Sequence, residues 1–374
     1  MKNVAILGST GSIGQQALQV IERHKDKLSV FALSAGRNYH LLREQAFRYN
    51  PQILHIDSRE FIPLLEKEFP DKEVVSGKEG LSYIGGHPEV DILLVAIPSP
   101  VAIKPTITAL KSGKRVALAA KEVLVCGGRF VNEVGGELIP VDSEHSAIFQ
   151  LLKGEDSEIK RIILTASGGP FLETPLERFS EITPHEALQH PTWKMGKKIT
   201  IDSATLFNKG LEIIEAMWLF KLPPSKIDVV IHPQSIVHSL VEFVDGAIKA
   251  HLSLPDMRLP IQYALLYPER LPSLISTLDF SNLTLTFRQL DERRFPSVKL
   301  CKSAAERGGT YPAVLCGADE VAVELFLKGK IRFSDIALLV EKTLEKHISK
   351  ENPSLEDVYQ AYEWAKEEVL KETM

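Results

Sequence analysis

Residues 190–212, HPTWKMGKKITIDSATLFNKGLE, gather a His, four Lys, an Asn and two carboxylates into 23 positions. They run into the apolar stretch LEIIEAMWLF, which begins at Leu211. Cations and free amides at a helix N-terminus suit an anion, because the open N–H groups and the helix dipole both favour negative charge. Glu212 is expected in the first turn of that helix, held in a fixed direction. The chemistry this pattern offers is phosphate binding beside an oriented metal ligand. The alternative is a polar loop that feeds a surface helix.

A second set of candidates lies in Pro140-Val141-Asp142-Ser143-Glu144-His145. If this segment is extended, Asp142 and Glu144 alternate and point their carboxylates to one side. With Glu212 they make an all-oxygen set that suits Mg²⁺ or Mn²⁺ rather than Zn²⁺. Acids at a strand end also cap or solvate turns, and that reading stays open. A third set is Gly8-Ser9-Thr10-Gly11-Ser12-Ile13-Gly14, after the strand VAIL. Glycines there permit a tight turn and a close approach of backbone to a pyrophosphate. The spacing is GxxGxxG, and a turn that holds no ligand is the alternative. The second strand ends in Ser34-Ala35-Gly36-Arg37-Asn38, with no acid for a ribose hydroxyl. A guanidinium in that place suits a 2′-phosphate, which favours NADP(H) over NAD(H).

These residues need elements to hold them. The apolar runs VAIL, VFAL, ILHI, ILLVAI, RVALA and ELIPV recur through the first 145 residues, with helical patterns such as QQALQVIERH between them. That alternation predicts an α/β fold with a Rossmann-like, doubly wound parallel sheet over 1–146. Ligands of such sheets bind outside the carboxyl ends of the strands. Over 147–267 the character changes to α+β, and two extended runs around Asp245-Gly246 predict an antiparallel hairpin. Residues 268–294 are weakly periodic and read as a linker. Residues 295–374 carry helical patterns and read as a C-terminal helical domain, with Ser354 as an N-cap.

The bulk composition narrows the function. At 374 residues, 44% hydrophobic and 25% charged, the chain is an ordinary globular protein of about two or three domains. A net charge of −5 argues against a nucleic-acid partner. Cys126, Cys301 and Cys316 form no CxxC, which fits a reducing compartment and no zinc cluster. The opening MKNVAILG reads as a strand rather than a signal peptide, and no apolar run is long enough to span a bilayer. The expected setting is the cytoplasm, with no membrane partner.

Beyond single motifs, the chain resembles the 1-deoxy-D-xylulose 5-phosphate reductoisomerase family. The resemblance rests on GSTGSIG, LAAKEVLV, PVDSEHSAIFQ, LTASGGPF, HPTWKMGKKITIDSATLFNKGLEIIEA, HPQSIVHS and PDMRLPIQYAL, in that order along the chain. It implies NADPH- and metal-dependent conversion of 1-deoxy-D-xylulose 5-phosphate to 2-C-methyl-D-erythritol 4-phosphate, in the methylerythritol phosphate route to isoprenoids. The implied metal ligands are Asp142, Glu144 and Glu212, for Mg²⁺, Mn²⁺ or Co²⁺. Lys121, Glu144, Glu212 and His190 are implied in catalysis, with Ser143 and Lys121 at the reacting part of the substrate. Ser167, Ser203, Asn208 and Lys209 are implied at its phosphate. His190, Trp193 and Met195 belong to an implied lid over Leu188–Lys197, and His238 and Pro255 fall near the substrate. Gly8, Thr10, Gly11, Ser12, Ile13, Gly36, Arg37, Asn38, Ala120, Lys121 and Glu122 are implied at NADPH.

One position departs from the family pattern. Ala120 stands where the family has Asn before the lysine, which removes one side-chain hydrogen bond to the cofactor. Arg37 stands where some members have Lys, and it preserves the positive charge. The resemblance also implies a homodimer. Among the remaining residues, Trp193 as a packing anchor, His232 and His238 as structural strand histidines, and Lys121 as a solvated strand-end cation are the plainer alternatives. Two other functions fit parts of the pattern. One is an NADP-dependent oxidoreductase of a phosphorylated aldehyde without rearrangement, and the other is a non-catalytic NADP(H) sensor. Neither needs all three carboxylates.

Overall fold

Short runs rich in Val, Ile and Leu become strands because both of their faces are covered, the pattern of a parallel sheet flanked by helices. In the computed structural model, which describes residues 1–193 and 195–373, seven of them pair: β1 (Lys2–Leu7), β2 (Leu28–Ala35), β3 (Ile53–Ile56), β4 (Glu73–Val75), β5 (Ile92–Val95), β6 (Arg115–Leu118) and β7 (Leu138–Pro140). Their order is β4-β3-β2-β1-β5-β6-β7, and every pairing is parallel. The expected α/β, Rossmann-like class is what the chain adopts. The sheet has one strand more than the apolar runs indicate, because β4 is three residues long and starts on Glu73.

The strand order reverses direction at β1, where Leu7 lies between Ser34 of β2 and Val95 of β5. Such a switch point opens a crevice at the carboxyl ends of the strands. Val4 and Ile6 of β1, Leu33 of β2 and Leu94 of β5 are fully buried in the core beneath it.

The chain divides into two compact units. The first comprises Met1–Val123, Arg129–Phe149 and Asp256–Thr277, and the second comprises Leu124–Gly128, Gln150–Pro255 and the chain from Leu278 on. The sequence pattern puts 256–267 with the α+β segment and 268–277 in a linker, whereas both lie in the first unit. The cause is packing: the helix Arg258–Leu266 lies on the helix Ser12–Arg23, and Ile261, Ala264, Leu265 and Leu266 join the first core. Gln262 Oε1 also meets the His24 ring at 3.1 Å.

The second unit holds a five-stranded sheet of order β11-β10-β8-β9-β12. Its strands are β8 (Ile159–Ala166), β9 (Ile227–Ile231), β10 (Val237–Phe243), β11 (Ile248–Leu252) and β12 (Arg288–Gln289). β10 and β11 form the antiparallel hairpin expected at Asp245-Gly246, where Gly246 takes φ +88° and Asp245 accepts the Ala247 amide. The helices Ser297–Arg307, Tyr311–Leu327, Asp335–Lys346 and Leu355–Glu372 follow, and Ser354 caps the last in a capping box with Asp357. These helices share the second unit rather than forming one of their own. Cys301 on Ser297–Arg307 packs so closely on Gly210 of the helix Phe207–Phe220 that a Cβ there would lie 2.7 Å from the Cys301 Cβ. Among the described residues, no helix is long and apolar enough to cross a membrane.

Candidate functional site

In the first unit the glycine turn follows β1 at the switch point. Gly8 takes φ +92°, and a Cβ on it would lie 2.8 Å from the Ala96 carbonyl oxygen. A Cβ on Gly14 would lie 2.5 Å from Ser9 Cα, so only glycine lets the helix Ser12–Arg23 approach the turn this closely. No side chain caps that helix at Gly11, which leaves its first amides facing the crevice. Thr10 and Ile13 are half-buried, while Gly11 and Ser12 are exposed.

Beside this turn, Gly36, Arg37 and Asn38 are exposed at the end of β2. Asn38 accepts the Leu41 amide at 3.2 Å and so caps the helix Tyr39–Tyr49. Ala120 and Lys121 are buried at the end of β6, with Glu122 half-buried as the next helix begins. Lys121 is not a solvated cation: its Nζ lies 2.8 Å from Asp142 Oδ2.

Asp142 departs from the expected geometry. The Asp142 carbonyl accepts the Ser146 amide at 2.8 Å, and the helix Ser143–Leu151 starts at once. Asp142 and Glu144 therefore do not alternate along an extended segment. Glu144 sits in the first turn of the helix, where the free amides favour a carboxylate, and accepts from Ser143 Oγ at 2.6 Å. The early helix start brings in a residue the sequence reading missed. His145 is fully buried, with Nδ1 3.8 Å from Asp142 Oδ2. Its i,i+3 spacing from Asp142 is a signal only once the helix start is known.

In the second unit the stretch 190–212 is not one polar loop. A helix spans Lys197–Thr205, Leu206 takes φ +61°, and a second helix spans Phe207–Phe220. Ile, Thr, Asp and Ser are weak helix formers, but residues 200–205 are all buried, and tertiary packing overrides propensity. Glu212 consequently lies in the second turn of its helix rather than the first. It is almost fully buried and pairs with Lys209 Nζ, while Asn208 Nδ2 donates to its Oε1 at 2.6 Å.

Ser167 follows β8 in a Ser-Gly-Gly turn with φ +85° at Gly168 and +66° at Gly169. A Cβ on Gly169 would lie 2.9 Å from the Ser203 carbonyl oxygen, so the turn lies against the helix that carries Ser203. Ser167 Oγ and Ser203 Oγ each lie 3.1 Å from His190 Nε2. His190 Nδ1 accepts the amides of Thr192 at 3.1 Å and Trp193 at 2.9 Å, so its proton sits on Nε2. Burial pushes the His190 pKa down to about 4, which leaves a neutral donor aimed at two hydroxyls. Four residues were expected at phosphate; Ser167 and Ser203 meet at His190, whereas Asn208 and Lys209 face Glu212.

The Trp193 and His238 rings stand edge to face, 6.4 Å between centroids. Ser253 Oγ lies 2.9 Å from His238 Nε2, and burial foremost pushes this imidazole down to about 4. Met195 and Pro255 are half-buried. Within the expected lid, Lys194 lies outside the described residues. His232 is structural: Nδ1 donates to the Thr286 carbonyl at 2.8 Å, and Nε2 accepts the amides of Ile236 and Val237 at 3.1 Å each.

A doubly wound sheet with an open glycine turn and a basic residue after its second strand defines the dinucleotide-binding α/β class, here joined to a unit rich in buried polar groups. Comparison with known proteins narrows that class. Family models described as 1-deoxy-D-xylulose 5-phosphate reductoisomerase, its C-terminal domain, and DXP reductoisomerase C-terminal domain match residues 4–128, 138–220 and 252–368. The chain is 49% identical over 371 residues to the 1-deoxy-D-xylulose 5-phosphate reductoisomerase of Thermomicrobium roseum, covering 97% of this chain and 95% of that one. It is 50% identical over 368 residues to that of Chloroherpeton thalassium, covering 96% and 95%.

Among solved structures, DOX-P reductoisomerase in complex with NADPH, fosmidomycin and magnesium superposes with TM-score 0.94 at 36% identity, over 100% of this chain and 98% of the other. The Zymomonas mobilis enzyme in complex with NADPH gives TM-score 0.91 at 41% identity, over 100% and 99%. The chain belongs to the 1-deoxy-D-xylulose 5-phosphate reductoisomerase family.

Proposed function

We propose that this chain is an NADPH- and metal-dependent reductoisomerase that converts 1-deoxy-D-xylulose 5-phosphate to 2-C-methyl-D-erythritol 4-phosphate in the methylerythritol phosphate pathway. The observation that carries this reading is family membership along the whole chain at about half identity. The neutral His190 held between Ser167 and Ser203 supports it.

The residues present fit a divalent metal. Asp142, Glu144 and Glu212 offer hard oxygen donors, and Asp142 and Glu212 each already attract a cation, Lys121 and Lys209. We assign the metal to these three carboxylates; when bound, it supplies a Lewis acid for the ketone and neighbouring hydroxyl of the substrate. NADPH supplies the hydride that reduces the rearranged aldehyde.

The chain's own residues bind and orient. The first amides of the helix Ser12–Arg23 receive the pyrophosphate together with Gly8, Thr10, Gly11, Ser12 and Ile13, and Arg37 with Gly36 and Asn38 reads the 2′-phosphate. Ala120, Lys121 and Glu122 at the end of β6 border the nicotinamide. Ser167, Ser203, Asn208 and Lys209 grip the substrate phosphate, and their binding energy is available for orientation and closure. His190 donates from Nε2 to that phosphate, while Trp193 and Met195 cover it and exclude water. Ser143 and Lys121 contact the reacting end, and His238 and Pro255 border the substrate.

We further assign a homodimer, supported by the sheet of the second unit, where half-buried Ile163, Val229 and Leu240 line an open groove. Cys126, Cys301 and Cys316 are buried thiols outside any disulfide, which supports a reducing, cytoplasmic setting. The testing experiment follows oxidation of NADPH with 1-deoxy-D-xylulose 5-phosphate, with Mg²⁺ or Mn²⁺ and then with excess chelator. Oxidation that chelator stops, with methylerythritol phosphate as product, is the expected result. Oxidation that chelator leaves unchanged would refute the metal assignment, and none under any metal would refute the substrate.

A further inference from the structure

Several buried polar groups of the first unit take no part in the site described above, and they form one continuous chain. Ser9 is fully buried and Gln45 nearly so. Ser9 Oγ donates to Gln45 Oε1 at 2.7 Å, and Gln45 Nε2 donates back to the Ser9 carbonyl at 2.9 Å. An amide nitrogen only donates and a carbonyl only accepts, so this reciprocal pair fixes the orientation of the Gln45 amide. The amides of Gly8 and Ser9 donate to the Ser34 carbonyl at 3.1 and 2.8 Å.

Ser34 Oγ then lies 3.1 Å from His55 Nδ1, and His55 Nε2 lies 3.0 Å from the Gly77 carbonyl. Because Gly77 can only accept, the His55 proton sits on Nε2, and the Ser34 hydroxyl donates to Nδ1. Burial lowers the His55 pKa and so keeps the ring in this neutral form. From Gln45 through Ser9 and Ser34 to His55 and Gly77, each donor meets an acceptor.

This chain of bonds joins two separate parts of the cofactor crevice. Ser9 lies within the glycine turn, immediately before Thr10–Ile13. Ser34 pairs with Leu7 in the sheet and precedes Arg37 by three residues. Gln45 projects from the helix that Asn38 caps. A buried Gln–Ser pair costs desolvation that an apolar pair would avoid, and what it adds is a fixed geometry.

We propose that Gln45 is a positioning residue for NADPH: through Ser9 it holds the pyrophosphate turn at a set separation from Arg37 and Asn38, so that pyrophosphate and 2′-phosphate are met together. This rests on the NADPH reading above. NADH lacks the 2′-phosphate, so its binding uses the turn without needing that separation. Loss of the clamp therefore weakens NADPH selectively.

The experiment measures dissociation constants of NADPH and NADH for the full chain, for Gln45→Met and for Ser9→Ala, by isothermal titration well below each melting midpoint. Ser9→Ala removes one hydroxyl and leaves the Gln45 bond to the Ser9 carbonyl, so it stays folded even where Gln45→Met does not. For Gln45→Met the NADPH constant is expected to rise about tenfold, equivalent to ~1.4 kcal/mol, with the NADH constant nearly unchanged. Ser9→Ala shifts the same ratio in the same direction by a smaller factor. Equal weakening of both nucleotides, or no weakening in either folded variant, would overturn the proposal alone. A parent protein that binds NADPH no tighter than NADH would overturn the cofactor reading together with the proposal; Arg37→Ala serves as its control.

Discussion

Glu212→Gln tests the candidate metal ligand and its support in one substitution. Glu212 is 1% exposed and Lys209 3%. Gln keeps the volume of Glu212 and still accepts a hydrogen bond from Asn208, but it removes the charge that balances the Lys209 ammonium. Breaking a buried ion pair by removing one partner costs about 3–5 kcal/mol. For a unit of this size each kcal/mol lowers the melting midpoint by roughly 2–4 °C, so a drop on the order of 10 °C is expected. Loss of turnover alone would then mix lost metal binding with lost stability.

Lys209→Met in the same chain separates the two. It removes the ammonium that Glu212 faced and fills its space, and an apolar replacement of a buried ion pair is often neutral or stabilising. The double variant should regain most of the lost midpoint while turnover stays absent, and NADPH affinity should hold throughout. The assays are thermal unfolding by circular dichroism, NADPH titration and metal-dependent turnover. A Glu212→Gln protein that melts with its parent would refute the stability argument. Appreciable turnover in that variant would refute the ligand assignment.

Other expectations follow from the same geometry. Arg37→Asp should shift preference from NADPH toward NADH, read as the ratio of kcat/KM values; an unchanged ratio would mean that Arg37 does not read the 2′-phosphate. Burial holds His190 and His238 down at about 4, whereas an unfolded imidazole titrates near about 6.5. The stability linked to these neutral rings is fully present above about pH 6.5 and is lost as pH falls toward 4, because the unfolded chain takes up protons that the folded chain refuses. Urea unfolding across that window should show the loss, and His238→Gln should flatten it. Gly210→Ala should destabilise the protein: the added methyl falls within contact of Cys301, and overpacking of about 1–3 kcal/mol exceeds the gain of up to ~1 kcal/mol in helix propensity. A melting midpoint equal to or above that of the parent would refute this.

Local chemistry made part of this legible from the sequence. The glycine turn, the basic end of β2, the Asp245-Gly246 hairpin and the Ser354 cap each depend on a few adjacent residues whose conformational preferences decide the outcome. What stayed hidden depends on distant contacts. The helix Lys197–Thr205 forms in a weakly helical segment because its neighbours bury it. The next helix begins already at Phe207, after Leu206 at φ +61°, which places Glu212 in its second turn. Asp142 starts a helix instead of continuing a strand, and only then does His145 come near it. The Gln45–Ser9 clamp spans 36 positions, and neither residue type announces it.

The return of Asp256–Thr277 to the first unit bears on how the protein is made. Chains generally fold domain by domain as they emerge from the ribosome, the N-terminal part first. Here the nucleotide-binding sheet is synthesised early, yet Ile261, Ala264, Leu265 and Leu266 are still to come. Until they arrive, the face of the helix Ser12–Arg23 that they cover stays open, and strands β8–β11 of the second sheet are translated in the meantime. The early unit therefore waits, open-sided, for a latch encoded more than a hundred residues downstream. In that interval the nascent chain carries apolar surface on its first unit that only Asp256–Thr277 can cover.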